Sequence, residues 1–294
     1  MSEEVIYMWL LGQSVIDGLL MGGIYSLMAI GLTLIFGVMG IINFSQGALM
    51  MLGMYVTYWA FTLAGINPYL SLPLSALALF LIGILIQKSI IDKVMSGPEH
   101  NLLLVTFGIM MVIENLALVF FSPNFRSISV PWLDETLNIA AMGFNKPKLI
   151  AFFITIVIAV ILYWFLHKTY LGKAIRGTSM NKVGAALVGI RAKRINYITF
   201  GMGAAIAGIA GSLVAPIISI SPAIGHTFII KTFVVVVLGG LGNIYGAFVG
   251  GLIIGISEAV AGAYLPGTLN ELVIYAIFIF ILIFRPKGIF GGGS

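Results

Sequence analysis

From Gly18 to Gln87 the chain contains no Asp, Glu, Lys or Arg, a run of 70 residues. A membrane-crossing helix needs roughly 20 apolar residues, so such a run holds three spans joined by very short turns. The turns must lie at glycine, proline and asparagine, around Gly37 to Asn43 and around Gly65 to Pro68. This places helices near Trp9 to Phe36, Phe44 to Leu63 and Tyr69 to Gln87, the first long enough to be bent or split at Gly22-Gly23.

The rest of the chain has the same character. Hydrophobic residues make up 60% and charged residues 9%, with a mean hydropathy of +1.13; ordinary soluble domains carry roughly 25% charged residues. The expected fold is all-α: one polytopic membrane domain over residues 1–294 with eight or nine helices, some broken or re-entrant. No room is left for a soluble module, so any ATP-binding or solute-capturing unit would sit on another chain. There is no cysteine, and His100, His167 and His226 are too scattered to suggest a metal cluster; neither metal nor cofactor is expected. Met1-Ser-Glu-Glu lacks the basic region of a cleaved signal peptide, so the first apolar stretch is expected to be retained.

Later spans are expected at Leu102 to Phe121, Leu149 to Leu166 and Ile195 to Ile218, with a charged connection from Lys88 to His100 and a large external loop from Ser122 to Pro147. Between Lys168 and Arg194 stand Lys168, Lys173, Arg176, Lys182, Arg191, Lys193 and Arg194 with no acidic residue. In a soluble protein a net charge of +5 would suggest nucleic acid. Here the concentration of cations in one loop marks it as cytoplasmic, with no nucleic acid implied. Counting back from this loop puts the N-terminus outside. Arg285 and Lys287 should also be inside, which requires an odd number of crossings after the sixth span. A helix entering to about Leu241, a glycine turn, a helix returning to about Ala263 and a last span from Leu269 to Phe284 satisfy this.

Asn43, Ser45 and Gln46 are polar groups among glycines, beside Phe44 and Gly47. A broken helix here could present backbone groups to a zwitterion, or the side chains could hydrogen-bond helix to helix. Gly239, Gly240 and Gly242 fit tight turns and close packing, with pathway lining as the other reading. Glu114 and Glu258 lie inside spans, where a carboxylate costs roughly 2.5 to 3.5 kcal/mol. A hydrated path, pairing with a cation such as Lys231, or protonation would each offset that. Inside the basic loop, the small residues Gly184, Ala185, Ala186 and Gly189 allow a helix at the membrane surface from Asn181, flanked by Arg176 and Lys182. Such a helix fits a groove on a partner. No phosphate-cradling Gly-Lys-Ser/Thr loop occurs.

Five stretches in order carry a family resemblance: Gly40-Ile-Ile-Asn43-Phe44-Ser-Gln-Gly47 with Leu52-Gly53-Met-Tyr55; Gly172 to Arg176 through Ala186 to Ile190; Leu238-Gly-Gly-Leu-Gly242-Asn-Ile-Tyr-Gly246 to Gly251; Gly255-Ile-Ser-Glu258; and Arg285-Pro286-Lys-Gly288-Ile-Phe290-Gly291. Over nearly its whole length the chain resembles the permease subunits of ATP-binding cassette importers for branched-chain amino acids. The resemblance implies a bacterial or archaeal plasma membrane, a second homologous permease, two cytoplasmic ATPases and an extracytoplasmic solute-binding protein. It makes the chain a non-catalytic subunit and the segment from Asn181 to Gly189 the part that docks on an ATPase. Members usually carry Phe-Ala-His-Gly-Glu where this chain has Phe44-Ser45-Gln46-Gly47-Ala48, and an acidic residue where it has Asn181-Lys182. A related importer for urea or short amides is therefore the alternative. A proton-coupled transporter using Glu114 and Glu258, and a passive channel, are rivals that the basic loop disfavours.

Overall fold

The computed structural model describes residues 3–95, 97–134, 136–139, 142–266 and 269–291. Its helices are α1 (Glu3–Met39), α2 (Gln46–Ala64), α3 (Leu72–Val94), α4 (Glu99–Phe121), α5 (Lys146–Lys168), α6 (Tyr170–Met180), α7 (Lys182–Leu187), α8 (Ala192–Val214), α9 (Ile224–Gly239), α10 (Ile244–Tyr264) and α11 (Leu269–Phe284). Seven are long and apolar enough to cross a membrane, and α9 and α11 are shorter apolar helices. The all-α polytopic fold read from the sequence is the one observed.

Two boundaries differ from expectation. α1 is one continuous helix, not split at Gly22-Gly23, because both glycines are absorbed by neighbouring helices instead of opening a turn. α3 continues through the charged segment as far as Val94, using a π-turn at Gln87–Ile91. Lys193 then pairs with Asp92 at 2.7 Å, and the Tyr197 hydroxyl donates to the same carboxylate, so the helix end is held by α8. The outer loop contains a turn of helix at Pro131–Asp134 and an antiparallel hairpin of β1 (Thr136–Ile139) and β2 (Met142–Asn145).

α1 and α8 are the most buried spans, and α3 and α5 the most open. Small residues explain this. A Cβ on Gly18 would lie 2.6 Å from the Gly255 carbonyl oxygen, and one on Gly22 would lie 2.8 Å from that of Gly251. α1 and α10 therefore cross backbone to backbone, which brings many atoms into dispersion contact without lipid between them. α8 uses Gly208 against Gly53 and Gly211 against Met50 in the same way, receiving α2 on one side and α3 on the other. Hydroxyls add interhelical bonds: Ser26 donates to Phe248 O at 2.6 Å, Ser75 to Gly208 O at 3.0 Å, and Thr57 to Ser212 at 2.7 Å.

Lys88, Lys93, Lys168, Lys173, Arg176, Lys182, Arg191, Lys193, Arg194, Arg285 and Lys287 gather at one end of the bundle, while Arg126, Lys146 and Lys148 are at the other. The first end is the cytoplasmic one by the excess of cations. α1 ends there, since Gly37 O accepts from Ser179 of α6, so its N-terminal end faces outward. Asp17 lies in the outer part of α1 and pairs with Lys148 at 3.1 Å.

Candidate functional site

The turn between α1 and α2 is closed by its own polar groups. Asn43 Oδ1 accepts from the Ser45 backbone N–H at 3.1 Å and from its hydroxyl at 2.6 Å. Asn43 Nδ2 donates to Gln46 Oε1 at 3.3 Å, and Gln46 Nε2 donates to Gly203 O at 3.0 Å. Asn43, Ser45 and Gln46 are fully buried. These bonds join the start of α2 to α8, the helix-to-helix arrangement left open by the sequence. Gly47 lies against Gly225 of α9 with no space for a side chain. Phe44 is only partly buried, with ring centroids 6.4 Å from Phe107 and 6.2 Å from Phe233.

The two intramembrane glutamates have different partners. Glu258 of α10 forms an ion pair with Lys231 of α9, and both side chains are mostly buried, at 18% and 13% exposure. Lys231 also lies 3.4 Å from the Tyr25 hydroxyl of α1, so one cluster joins three helices. Glu114 of α4 accepts from His226 Nε2 of α9 at 2.8 Å. Here the carboxylate side is 10% exposed and the imidazole 50%. The two clusters are separate, and neither touches Asn43 or Gln46 through a hydrogen bond.

Gly239, Gly240 and Gly242 sit at the cytoplasmic end. Gly239 packs on Gly246 backbone to backbone. Gly240 has φ +100 and Gly242 φ +86, left-handed values that a glycine adopts without strain. The turn they make is strapped by the C-terminal segment: Ile289 N–H donates to Leu238 O at 2.8 Å, and Asn243 Nδ2 donates to Phe290 O at 3.1 Å.

Beside this turn lies the basic loop. Thr169 caps α6 and Asn181 caps α7, its Oδ1 accepting from Gly184 N–H at 2.8 Å, which is why the chain breaks and restarts there. The surface helix expected from Asn181 is present as α7, while the longer α6 ahead of it was not foreseen. Ala185 is buried, whereas Lys182, Ala186 and Gly189 are exposed together with Met180, Val183, Leu187 and Val188. Arg176 lines a cytoplasmic cavity of about 990 Å³ shared by α6, the end of α1, the glycine turn and the C-terminal strap. An exposed aliphatic patch ringed by cations at this end is suited to protein docking.

In the sequence His226 is one of three scattered histidines. Its partner lies 112 positions earlier in the chain, and no local pattern announces such a pair.

Comparisons with known proteins agree with this architecture. Residues 14–282 match the family model described as branched-chain amino acid transport system / permease component. The chain is 31% identical to the high-affinity branched-chain amino acid transport system permease protein BraD of Pseudomonas aeruginosa, over 95% of each chain. It is 30% identical to the permease protein LivH of Escherichia coli, over 99% of this chain and 98% of the relative. The probable branched-chain amino acid transport permease protein LivH of Methanocaldococcus jannaschii is 29% identical over 90% of this chain and 88% of its own. No solved structure matches. With its multi-pass helical bundle and this match over nearly its whole length, the chain belongs to the family of branched-chain amino acid transport permease components.

Proposed function

We propose that the chain is the membrane permease subunit of an ATP-binding cassette importer in a bacterial or archaeal plasma membrane, translocating branched-chain or other hydrophobic amino acids. The observation that carries this reading is the likeness to branched-chain amino acid permeases over nearly the full length of both chains. The cytoplasmic surface supports it. α6 and α7 form a small-residue platform with exposed Met180, Val183 and Leu187, where a partner ATPase would dock. Hydrolysis would move this platform, and Ser179 bonded to Gly37 would pass the movement to α1, the central helix of the bundle.

In this scheme the permease itself performs no chemistry. Two ATPases supply energy, a solute-binding protein delivers the amino acid, and a second homologous permease supplies the other wall of the path. The test is ATP hydrolysis by the assembled complex in lipid nanodiscs. Leucine-loaded binding protein should stimulate hydrolysis and unloaded binding protein should not. A complex that does not form, or one indifferent to leucine, would refute the assignment.

A further inference from the structure

α9 has 16 residues, fewer than a span needs. Its C-terminal end is fixed at the cytoplasmic face by the Gly240 turn and the C-terminal strap. The missing length is therefore at its N-terminus, which lies below the outer membrane surface, and no side chain caps it. The Ile224 and His226 N–H groups are taken by Ser221 O and Ala223 O, and the positive end of the helix dipole makes this end favourable for an anion.

His226 is in the first turn of α9. Glu114 holds it through Nε2 at 2.8 Å, which leaves Nδ1 of the half-exposed ring for another partner. With a proton on each nitrogen, an imidazole fixed in this way donates from Nδ1 to an anion. Here the carboxylate is nine-tenths buried, its Oε1 has no partner, and the imidazole stands open at membrane depth, where lipid is a poor neighbour for it. Glu114 makes no other bond, so its role is to orient His226.

The surroundings match an amphipathic ligand. Phe107 precedes Glu114 by seven residues on α4, and Phe233 follows His226 by seven on α9, so each aromatic lies two turns inward on the same face. Phe44 bridges the two rings. Exposed Met111 and Ile230 continue this apolar wall.

We propose that His226, oriented by Glu114, receives the α-carboxylate of the transported amino acid at the mouth of the path, with the aliphatic side chain against Phe107 and Phe44. The proposal rests on the amino acid importer reading above.

The test uses the complete importer in proteoliposomes and the absence of cysteine from this chain. His226→Cys should lower leucine uptake about tenfold or more, the effect of losing one charge-assisted hydrogen bond. Treatment with an aminoethyl methanethiosulfonate, which adds an ammonium, should restore most of the uptake. A sulfonatoethyl reagent, which adds an anion, should not. The same reagents on the unsubstituted complex control for cysteines in partner subunits. Unchanged uptake in His226→Cys, equal recovery with both reagents, or recovery with neither would overturn the proposal while leaving the importer reading intact. An unsubstituted complex that does not import leucine would overturn both.

Discussion

Lys231 of α9 and Glu258 of α10 form an ion pair inside the bundle, with the Tyr25 hydroxyl of α1 3.4 Å from the same ammonium. Breaking a buried pair leaves one charge uncompensated, at a cost of about 3–5 kcal/mol. Lys231→Met and Glu258→Gln should each lower the melting temperature of the purified protein. The double variant Lys231→Met/Glu258→Gln should recover much of the loss, because both charges are gone. A double variant as unstable as the sum of the singles would mean that the pair does not act as a unit.

The crossing of α1 and α10 makes a steric prediction. Gly255→Leu places a side chain where even a Cβ would be 2.4 Å from Gly18 O, so the helices must separate. The yield of monodisperse protein on size exclusion should collapse. Gly262→Ala on the same helix is the control, since its Cβ meets only the Asn270 side chain at an ordinary 3.6 Å, and it should behave as the parent does.

Gln46 links α2 to α8 through Gly203 O and also receives the Asn43 amide. Gln46→Leu leaves the buried Asn43 Nδ2 without its partner, at about 1–3 kcal/mol, and removes the tie to Gly203 O, which keeps its bond within α8. Chemical denaturation in detergent should show a lower midpoint. An unchanged midpoint would mean that water reaches this turn.

Much of this architecture was legible in the sequence because lipid imposes a length and an internal hydrogen-bonding rule on every span. The 70-residue uncharged run, the basic loop and the parity forced by Arg285 and Lys287 give the spans and the cytoplasmic side of that loop, while the side of the N-terminus depends on whether the first helix is split. Pairing across the bundle was less accessible. Lys231 and Glu258 are 27 positions apart on consecutive helices and could be suspected, whereas Glu114 and His226 meet only because α4 and α9 pack together. α6 was missed because its sequence, Tyr170 to Met180, is mixed in polarity and reads as loop, although its buried face of Gly172, Ala174, Ile175 and Thr178 has helical spacing. The continuous α1 shows the converse limit: Gly22-Gly23 marks a close helix crossing, and a glycine pair reads the same whether it packs or breaks a helix.

Exposure distinguishes the docking platform from the core. Ala186 faces the cytoplasm and Ala185 is buried beneath it. Ala186→Arg should therefore insert normally and elute as a folded protein, yet lose most ATP-driven uptake because a bulky cation cannot enter the ATPase groove. Normal uptake by that variant would remove α7 from the coupling surface.

The most direct measurement is uptake of labelled leucine by proteoliposomes containing the chain with its partner permease, ATPases and binding protein. Accumulation should require both ATP and the binding protein, and valine and isoleucine should compete with leucine. Flux that persists through this chain alone without ATP would contradict the account.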